Sequence, residues 1–476
     1  MACVKNNKTK GVDTLLGEPK KAIKKLAIPM IIAMSAHTIY NLVDALWVSG
    51  FGQDIFTSDT VAEVGTNALD AVGFVMPFYM MIIAISTGLG IGGGSAISRR
   101  IGSDDKKGAD NVAIHSIIIT IIVSLVFTLI LFGLADRIFL SIGAKETVHM
   151  ATSYGRIIFA GSIFTFFINV ALAILRAEGD ANRAMIAMMF GAFLNVALDP
   201  FFIYTFKLGV VGAALATVIS MAVTAAIILY WLFFRKDTFV TFKFKDFKFK
   251  GEILKDIFRV GLPASIQQLS MSVTMIAMIV IIGLAGGGED GVGIYNTGWR
   301  VVMIGVLPLL GMATAVTSVT GAAFGQMDYK KLNTAFMYSA KTGFIIELLL
   351  ALIVFLLAPY IALVFSSNAD IIFTENLTMF LQITVLFYPG AAFGIAASAM
   401  FQGAGKGLYS LIATLLRTII LSPILATIFC CIFSMGLTGV WWGLVFANLI
   451  GSIVSFSWAK LFIGSLFKKN KKVTKS

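Results

Sequence analysis

The chain of 476 residues is 58% hydrophobic and only 13% charged, with a mean hydropathy of +0.91. Soluble domains carry about 25% charged residues, so a water-soluble fold is excluded for most of this sequence and a membrane protein is indicated. The net charge of +12 would suit a nucleic-acid partner, but the positions of the charges argue against one, as shown below. The three cysteines, Cys3 and the adjacent Cys430 and Cys431, have neither disulfide nor zinc spacing.

Apolar runs dominate the sequence from the first helix to the last. Each run approaches or exceeds the ~20 residues that cross a bilayer, so each predicts a transmembrane helix. An even number of spans places both termini on the same side of the membrane. The predicted spans are 26–50, 71–97, 112–134, 154–175, 184–206, 209–234, 260–285, 292–324, 336–358, 376–401, 408–432 and 437–464.

The basic residues are distributed unequally between the two sides of these spans. Of the 37 Lys and Arg residues, 31 lie in the segments on the side of the termini, four lie toward the opposite face, and Arg300 and Arg417 lie within spans. Cytoplasmic loops carry the excess of Lys and Arg, so both termini are predicted to be cytoplasmic in a multi-pass protein of the cell membrane. The basic charge is therefore assigned to topology and the anionic inner leaflet rather than to nucleic acid.

The sequence also repeats itself at an offset of about half its length. LGVVGAALATVIS from Leu208 resembles MGLTGVWWGLVFAN from Met435, and Pro29 in the first span matches Pro263 in the seventh. Such a duplication predicts an all-α fold of two six-helix bundles related by pseudo-two-fold symmetry. The predicted divisions are a cytoplasmic segment 1–25, lobes 26–234 and 260–464, a cytoplasmic linker 235–259 and a basic tail 465–476.

The linker contains the sequence TFKFKDFKFK, in which lysine and phenylalanine alternate. This alternation fits a strand or helix lying at the membrane interface. A solvated linker explains the same composition equally well, so both interpretations stay open at this point.

The run LNVALDPFFIY, residues 194–204, places Asp199 directly before Pro200 inside an apolar span. An ionised acid in a bilayer is costly, so it normally faces a cavity or a partner and marks a pathway. Asn195 lies four residues earlier on the same helical face. Asp44 and Asp199 both lie 16 residues from the inner end of an outward-running span, or ~24 Å, and Thr217 lies ~10 Å below the outer end of its own span.

These depths place Asp44, Asn195, Asp199 and Thr217 in one layer, where their oxygens would bind Na⁺ or two neighbouring carboxylates would share a proton. His37, Tyr40 and Asn41 share a face with Asp44 at helical spacing and are further candidates. Hydrogen bonding between helices without transport explains those three equally well, but it does not require two acids. No cofactor other than the coupling ion is expected.

Other motifs predict structure rather than chemistry. The G-x-G-x-x-G pattern at Gly88–Gly93 lies inside a span and predicts close helix packing instead of dinucleotide binding. GAGKG at 403–407 lacks the complete phosphate-loop pattern and predicts a tight cytoplasmic turn, so no ATPase is expected. Glu347 and Arg300 are charges within the second lobe; we expect them to pair with each other, the alternative being a role in gating.

With these motifs in place, the sequence resembles the multidrug and toxic compound extrusion (MATE) transporters, most closely an archaeal branch near the DNA-damage-inducible group. The resemblance covers nearly the whole chain, through GEPKKAIKKLAIPM, YNLVDALWVSG, EGDANRAM, LNVALDPFFIY, GVVGAALAT, RVGLPASIQQLSMS, TGAAFGQ and FQGAGKG. It implies two bundles around a V-shaped central cleft. It also implies a cation site at Asp44, Asn195, Asp199 and Thr217.

The resemblance assigns further roles residue by residue. Pro29 matches the proline at which the first helix bends, and Tyr40 matches a tyrosine that lines the site. Two positions depart from the family pattern. His37 replaces a glutamine and adds a titrating group, whereas Leu172 replaces the asparagine of some relatives and removes a polar contact.

The function expected from these features is an ion-driven antiporter that exports cationic or amphipathic small molecules in exchange for H⁺ or Na⁺. A lipid or lipid-linked oligosaccharide flippase is the alternative, although it would favour a more cationic cleft than Arg300 and Arg417 supply. An enzyme is not expected, because no motif of an intramembrane protease is present. The expected partners are drug-like molecules, the monovalent cation and membrane lipids, and the expected state is a monomer.

Overall fold

A computed structural model describes residues 9–51, 64–144, 147–235, 237–242, 247–365 and 371–473, and these form helices joined by irregular connections, with no strand. The first half comprises α1 (Lys10–Leu16), α2 (Pro19–Val48), α3 (Thr66–Gly102), α4 (Lys106–Ser141), α5 (Val148–Ala160), α6 (Ser162–Ala177), α7 (Ala181–Pro200), a π-helical turn (Phe201–Thr205) and α8 (Gly209–Phe233).

The second half begins with α9 (Gly251–Leu284), α10 (Gly288–Gly325) and α11 (Tyr329–Phe365), followed by α12 (Ile371–Thr384) and a 3₁₀ turn (Val385–Phe387) that leads into α13 (Tyr388–Gly403). The remaining elements are α14 (Gly407–Leu415), a π-helical segment (Leu416–Leu421), α15 (Ser422–Thr427), a second π-helical segment (Ile428–Ile432) and α16 (Gly436–Val473).

The number of membrane spans agrees with the prediction. Eleven described helical segments are long and apolar enough to cross a bilayer, and α5 and α6 together make a twelfth span that is bent by 42°. The bend occurs at Gly161, where an added Cβ would lie 2.4 Å from Val218 Cγ2 of α8. Glycine therefore allows α8 to approach the bend, and the all-α polytopic fold with twelve spans is confirmed.

Contacts divide the chain into two compact units. Unit 1 comprises residues 1–13 and 32–265, and unit 2 comprises residues 14–31 and 266–476. Two helices therefore belong to both units: α2 changes units two residues after Pro29, and α9 changes two residues after Pro263. The lobes at 26–234 and 260–464 were defined by the sequence repeat rather than by contacts, and they stay a prediction.

Within unit 1 the glycine-rich stretch of α3 packs against three other helices. An added Cβ at Gly92 would lie 2.4 Å from the carbonyl oxygen of Ile257 in α9, and one at Gly93 would lie 2.5 Å from Ser116 Oγ in α4. At Gly90 the nearest atom is a carbonyl oxygen of α6, at 3.0 Å. These approaches leave no room for side chains, so the predicted role of the motif in helix packing is confirmed.

The predicted linker 235–259 begins without regular secondary structure and ends in α9, which includes residues 251–259. Residues 237–242 and 247–250 have no regular secondary structure. Val240 is fully buried, and its amide N–H and that of Phe239 donate to Glu178 Oε2 at 3.0 and 2.9 Å. The described residues of the alternating stretch form neither a strand nor a helix, so that interpretation is wrong for them. The solvated interpretation is wrong for residues 238–240, which are buried, but it agrees with Lys248, Phe249 and Lys250, which are exposed. Residues 243–246 lie outside the described residues.

Candidate cation site

The polar site of unit 1 begins where α7 ends. Asn195 and Asp199 lie one turn apart on α7, and Pro200 is followed by a π-helical turn in which the Phe206 N–H donates to the Phe201 carbonyl at 2.8 Å. Proline has no N–H and crowds the preceding turn, so a regular helix does not continue unchanged past it. The chain then reverses at Lys207, which has a φ of 55°, and enters α8.

Small residues bring α8 against α7 and the π-helical turn. An added Cβ at Gly212 would lie 2.5 Å from the carbonyl oxygen of Phe202, and one at Gly191 would lie 2.6 Å from Thr224 Oγ1. Because the backbones approach this closely, Thr217 on α8 lies opposite Asn195 on α7.

Asn195, Asp199 and Thr217 form one buried hydrogen-bonded group. Their side chains are 2%, 0% and 7% exposed. In the amide orientation that satisfies every group, Asn195 donates to Asp199 Oδ2 at 3.2 Å and accepts from Thr217 Oγ1 at 3.2 Å. The predicted proximity of these three residues is therefore present in the structure.

Asp44 on α2 joins this group through Asp199. The two carboxyl groups lie within hydrogen-bonding reach of each other. Asp44 is only half-buried, yet one of its oxygens, Oδ1, is buried and has no hydrogen-bond partner among the described residues. Two carboxylates this close repel each other strongly, so a proton or another cation must lie between them or one of them must be neutral.

Tyr204 holds the end of α2 in place beside the site. Its hydroxyl contacts the carbonyl oxygens of Trp47 and Phe51, the latter at 3.1 Å, and its ring meets that of Trp47 edge to face. Tyr204 itself is fully buried in a cluster with Val48 and Val210. The π-helical turn after Asp199 is thus attached to the helix that carries Asp44, which explains how two acids 155 residues apart meet.

The other predicted residues of α2 lie farther from the buried group. Tyr40 is half-buried and lies in the electric field of both acids, with its ring 5.0 Å from that of His37. His37 and Asn41 are exposed, and no hydrogen bond joins either of them to the described residues. Pro29 lies inside α2, which continues through it as a helix.

Two tyrosines at this site were not identified from the sequence. Tyr79 on α3 and Tyr154 on α5 are half-buried, and both lie in the electric field of Asp44. Tyr79 also forms a side-chain hydrogen bond with Thr165. Nothing in their apolar sequence contexts distinguishes them from tyrosines that face lipid, because that distinction depends on how far each helix is rotated.

Leu172, the apolar departure from the family pattern, is buried on α6 with 3% of its surface exposed. An amide is nevertheless present one turn earlier: Asn169 Nδ2 donates to Ser86 Oγ of α3 at 2.9 Å. This pair joins α3 to α6.

Two expectations for unit 2 have different outcomes. The predicted pair between Glu347 and Arg300 is wrong: neither carboxyl oxygen of Glu347 has a hydrogen-bond partner among the described residues, and Arg300 is exposed. Glu347 faces the interior of its unit whereas Arg300 does not, a difference that span position alone does not reveal.

The predicted turn at 403–407 is confirmed, with Gly405 at a φ of 74° and the Lys406 N–H donating to the Phe401 carbonyl at 2.8 Å.

The group in unit 1 has the chemistry of a cation site. It contains two carboxyl groups, an amide oxygen and a hydroxyl, all of which are oxygen ligands that suit a hard cation. The same two carboxyl groups can hold one shared proton without any other ligand. Because Asp199 has no contact with solvent, a change in its charge changes the free energy of the fold around it.

Comparisons with known proteins agree with this architecture. The MatE family model matches residues 29–201 and 263–428, which is more than half of the chain. The multidrug export protein MepA of Staphylococcus saprophyticus is 26% identical over 436 residues, covering 91% of this chain and 92% of its own length.

Two solved structures are more similar still. One is the outward-facing conformation of a multidrug resistance MATE family transporter, 47% identical with a TM-score of 0.91, covering 97% of this chain and 99% of its own. The other, with the same values, is a transporter from Pyrococcus furiosus whose binding pocket is described as having reverse polarity that suggests a different function. This chain, a multi-pass membrane protein, belongs to the MatE family of multidrug and toxic compound extrusion transporters.

Proposed function

We propose that the protein is an antiporter that exports cationic or amphipathic small molecules and that Asp44 and Asp199 bind the coupling ion. The observation that carries this proposal is the meeting of the two carboxyl groups around a fully buried Asp199. A stabilising role alone does not account for it, because replacing two adjacent acids by neutral groups would hold the helices together at less cost. The resemblance to multidrug exporters supports the choice of substrate class.

The coupling ion that the geometry favours is a proton. Asn195 donates to Asp199 and accepts from Thr217, so these polar groups satisfy one another without a metal ion. The remaining requirement is one positive charge between Asp44 and Asp199, which a single proton supplies. Na⁺ would have to take the Asn195 and Thr217 oxygens away from these hydrogen bonds.

Proton binding would change the packing of α2. Neutralising the acids removes the repulsion between Asp44 and Asp199, and the end of α2 is attached to the same region through Tyr204. Pro29, inside α2, lacks a backbone donor and would provide the point at which α2 bends. The face of α2 with Tyr40, Asn41 and His37 would then move, and this face is the proposed contact for substrate.

Substrate binding and proton binding oppose each other if both depend on this region, and linkage makes the effect reciprocal. We therefore expect the affinity of a cationic drug for the purified protein to rise with pH in the absence of Na⁺. At a fixed alkaline pH, added Na⁺ should leave that affinity unchanged. A response to Na⁺ that disappears in Asp199→Asn would contradict the proton and assign Na⁺ to the same site.

The transport assay uses inside-out vesicles with an imposed pH gradient and a fluorescent cationic drug. Asp44→Asn and Asp199→Asn should reduce gradient-driven uptake to background, because asparagine is nearly isosteric but does not bind and release a proton. Asp70→Asn is the matched control, since Asp70 is exposed on α3 of the same unit. Normal uptake by either site variant, correctly inserted in the membrane, would refute the assignment.

The orientation follows from the basic loops and is part of the same proposal. We place both termini and the linker on the cytoplasmic side of the cell membrane. Single cysteines at Lys8, Lys245 and Lys471, in a variant without the natural cysteines, should react only with reagents that reach the cytoplasm. A cysteine at Asp59 should react with an impermeant external reagent, and external labelling at Lys245 would refute this topology.

A further inference from the structure

Unit 2 contains a buried acid that the proposed antiport does not use. Glu347 lies at the midpoint of α11, 18 residues from each end of this 37-residue helix. Its side chain is 0% exposed, and neither Oε1 nor Oε2 has a hydrogen-bond partner among the described residues. A carboxylate in this position has lost water without gaining donors or a counter-ion, which is the least favourable environment for its charge.

The surroundings of Glu347 are closely packed and apolar. One turn before it, an added Cβ at Gly343 would lie 2.8 Å from Leu309 Cδ2 and 3.0 Å from Met312 Cε of α10. The same position lies 3.2 Å from Ala392 Cβ of α13. Three helices therefore pack closely together one turn from Glu347, through apolar side chains.

A second polar group without a partner lies in the same interior. Tyr388, the first residue of α13, is 0% exposed, and its hydroxyl has no hydrogen-bond partner among the described residues. The electric field of Glu347 reaches this hydroxyl. An added Cβ at Gly305 of α10 would lie 2.6 Å from the Tyr388 ring, so the tyrosine is held against α10.

Within the described part of the chain, Glu347 forms no ion pair with a charged side chain. On α10, Tyr295 stacks on Trp441, and Arg300 is exposed. On α12, Glu375 is exposed, and on α16, Lys460 donates to Asn333 at 3.1 Å. The further titratable or charged residues of α10 and α11 have exposed or half-exposed side chains, and they are Glu289, Asp290, Tyr329, Lys330, Lys331, Tyr338, Lys341 and Tyr360.

We propose that Glu347 is a second cation-binding carboxyl group, located in unit 2, and that the cation it binds is a proton. One proton adds to the carboxylate and gives a neutral carboxylic acid, and the Tyr388 hydroxyl, which the charge of an ionised Glu347 reaches, is the polar group we assign to that acid. A metal ion fits less well, because hard cations take six or more oxygen ligands and neither Glu347 oxygen has a polar partner among the described residues. The inference does not rest on the proposed antiport, since it concerns a separate unit and a different acid.

Infrared spectroscopy of the purified full chain tests the inference directly, because a protonated carboxyl group has its own C=O stretching band. The background is Asp44→Asn with Asp199→Asn, which removes the two acids of the proposed cation site from the comparison. At pH 7 without Na⁺, adding Glu347→Gln should remove one carboxylic acid from the spectrum. Adding Glu375→Gln, at an exposed glutamate of the same unit, should leave the band unchanged.

Two results would overturn the inference that Glu347 binds a proton, and a third would overturn the role of Tyr388. The first is an identical band with and without Glu347→Gln, which would show that Glu347 holds no proton. The second is loss of the Glu347 band when Na⁺ is added, which would assign a metal ion to the site. The third is an unchanged band frequency in Tyr388→Phe, which would remove the tyrosine from the site. If Glu347→Gln does not yield a monodisperse protein, Glu347→Asp replaces it and must shift the band.

Discussion

The contact between Glu178 and the linker predicts a pH-dependent stability that is measurable residue by residue. Glu178 follows α6, outside the membrane spans, and is 2% exposed. Burial raises its pKa from an ordinary value of 4.5 to about 8, although the amide N–H groups of Val240 and Phe239 and the charge of Arg183 favour the ionised form. Asp180 adds to the rise through repulsion.

The sign of the effect follows from proton linkage. The docked state binds the Glu178 proton more tightly than a state in which the linker has left and the acid is hydrated. Docking is therefore strongest below pH 4.5, weakens between pH 4.5 and pH 8, and is constant above pH 8. The slope is about 1.4 kcal/mol per pH unit, so the full effect is on the order of 5 kcal/mol.

Hydrogen exchange at the Phe239 and Val240 amides measures the opening of this contact, after correction for the intrinsic exchange rate. Between pH 6 and pH 9 we expect opening to become roughly 100-fold more frequent, because two of the pH units in that interval lie below the pKa of Glu178. Glu178→Gln keeps an acceptor oxygen but does not ionise, so its opening should be independent of pH. Glu252→Gln, at an exposed glutamate of α9, should retain the wild-type dependence.

Two outcomes would refute the reasoning. One is equal protection of the two amides at pH 6 and pH 9 in the wild type. The other is a Glu178→Gln variant that opens with the same pH dependence as the wild type, since another group would then be responsible.

Three further predictions concern packing in unit 1. Tyr204→Phe removes the hydroxyl that contacts the Trp47 carbonyl, and thermal unfolding should show a loss of about 1–3 kcal/mol; an unchanged unfolding temperature would contradict this role. Gly212→Ala places a Cβ 2.5 Å from the carbonyl oxygen of Phe202 and should lower the free energy of unfolding by roughly 1–3 kcal/mol. Gly133→Ala, which has open space around it, should be neutral or stabilising, and equal effects of the two substitutions would refute the packing argument. Asp110→Ala removes the acceptor of a linker amide and hydroxyl, both at 2.8 Å, so proteolysis within 237–250 should accelerate, and an unchanged rate would show that this contact does not hold the linker.

The sequence was sufficient for properties that depend on position along a helix. The twelve spans follow from the length of each apolar run, because a bilayer of fixed thickness needs a fixed number of helical residues. The axial positions of Asn195, Asp199 and Thr217 follow from a constant rise per residue, and the structure joins these three by hydrogen bonds. The packing of α3 follows from its glycines, because a residue without Cβ allows close backbone approach wherever it lies.

Properties that depend on the rotation of a helix about its axis required the tertiary structure. His37 and Asn41 share helical spacing with Asp44, yet both are exposed. Tyr79 and Tyr154, in contrast, lie on other helices but within the electric field of Asp44. The same reason explains the wrong pairing of Glu347. Residue depth is determined by the chain itself, but the direction of a side chain is determined by which neighbours pack against its helix. The linker shows the same limit, because its burial depends on Glu178 and Asp110, acids that precede it by 60 residues or more.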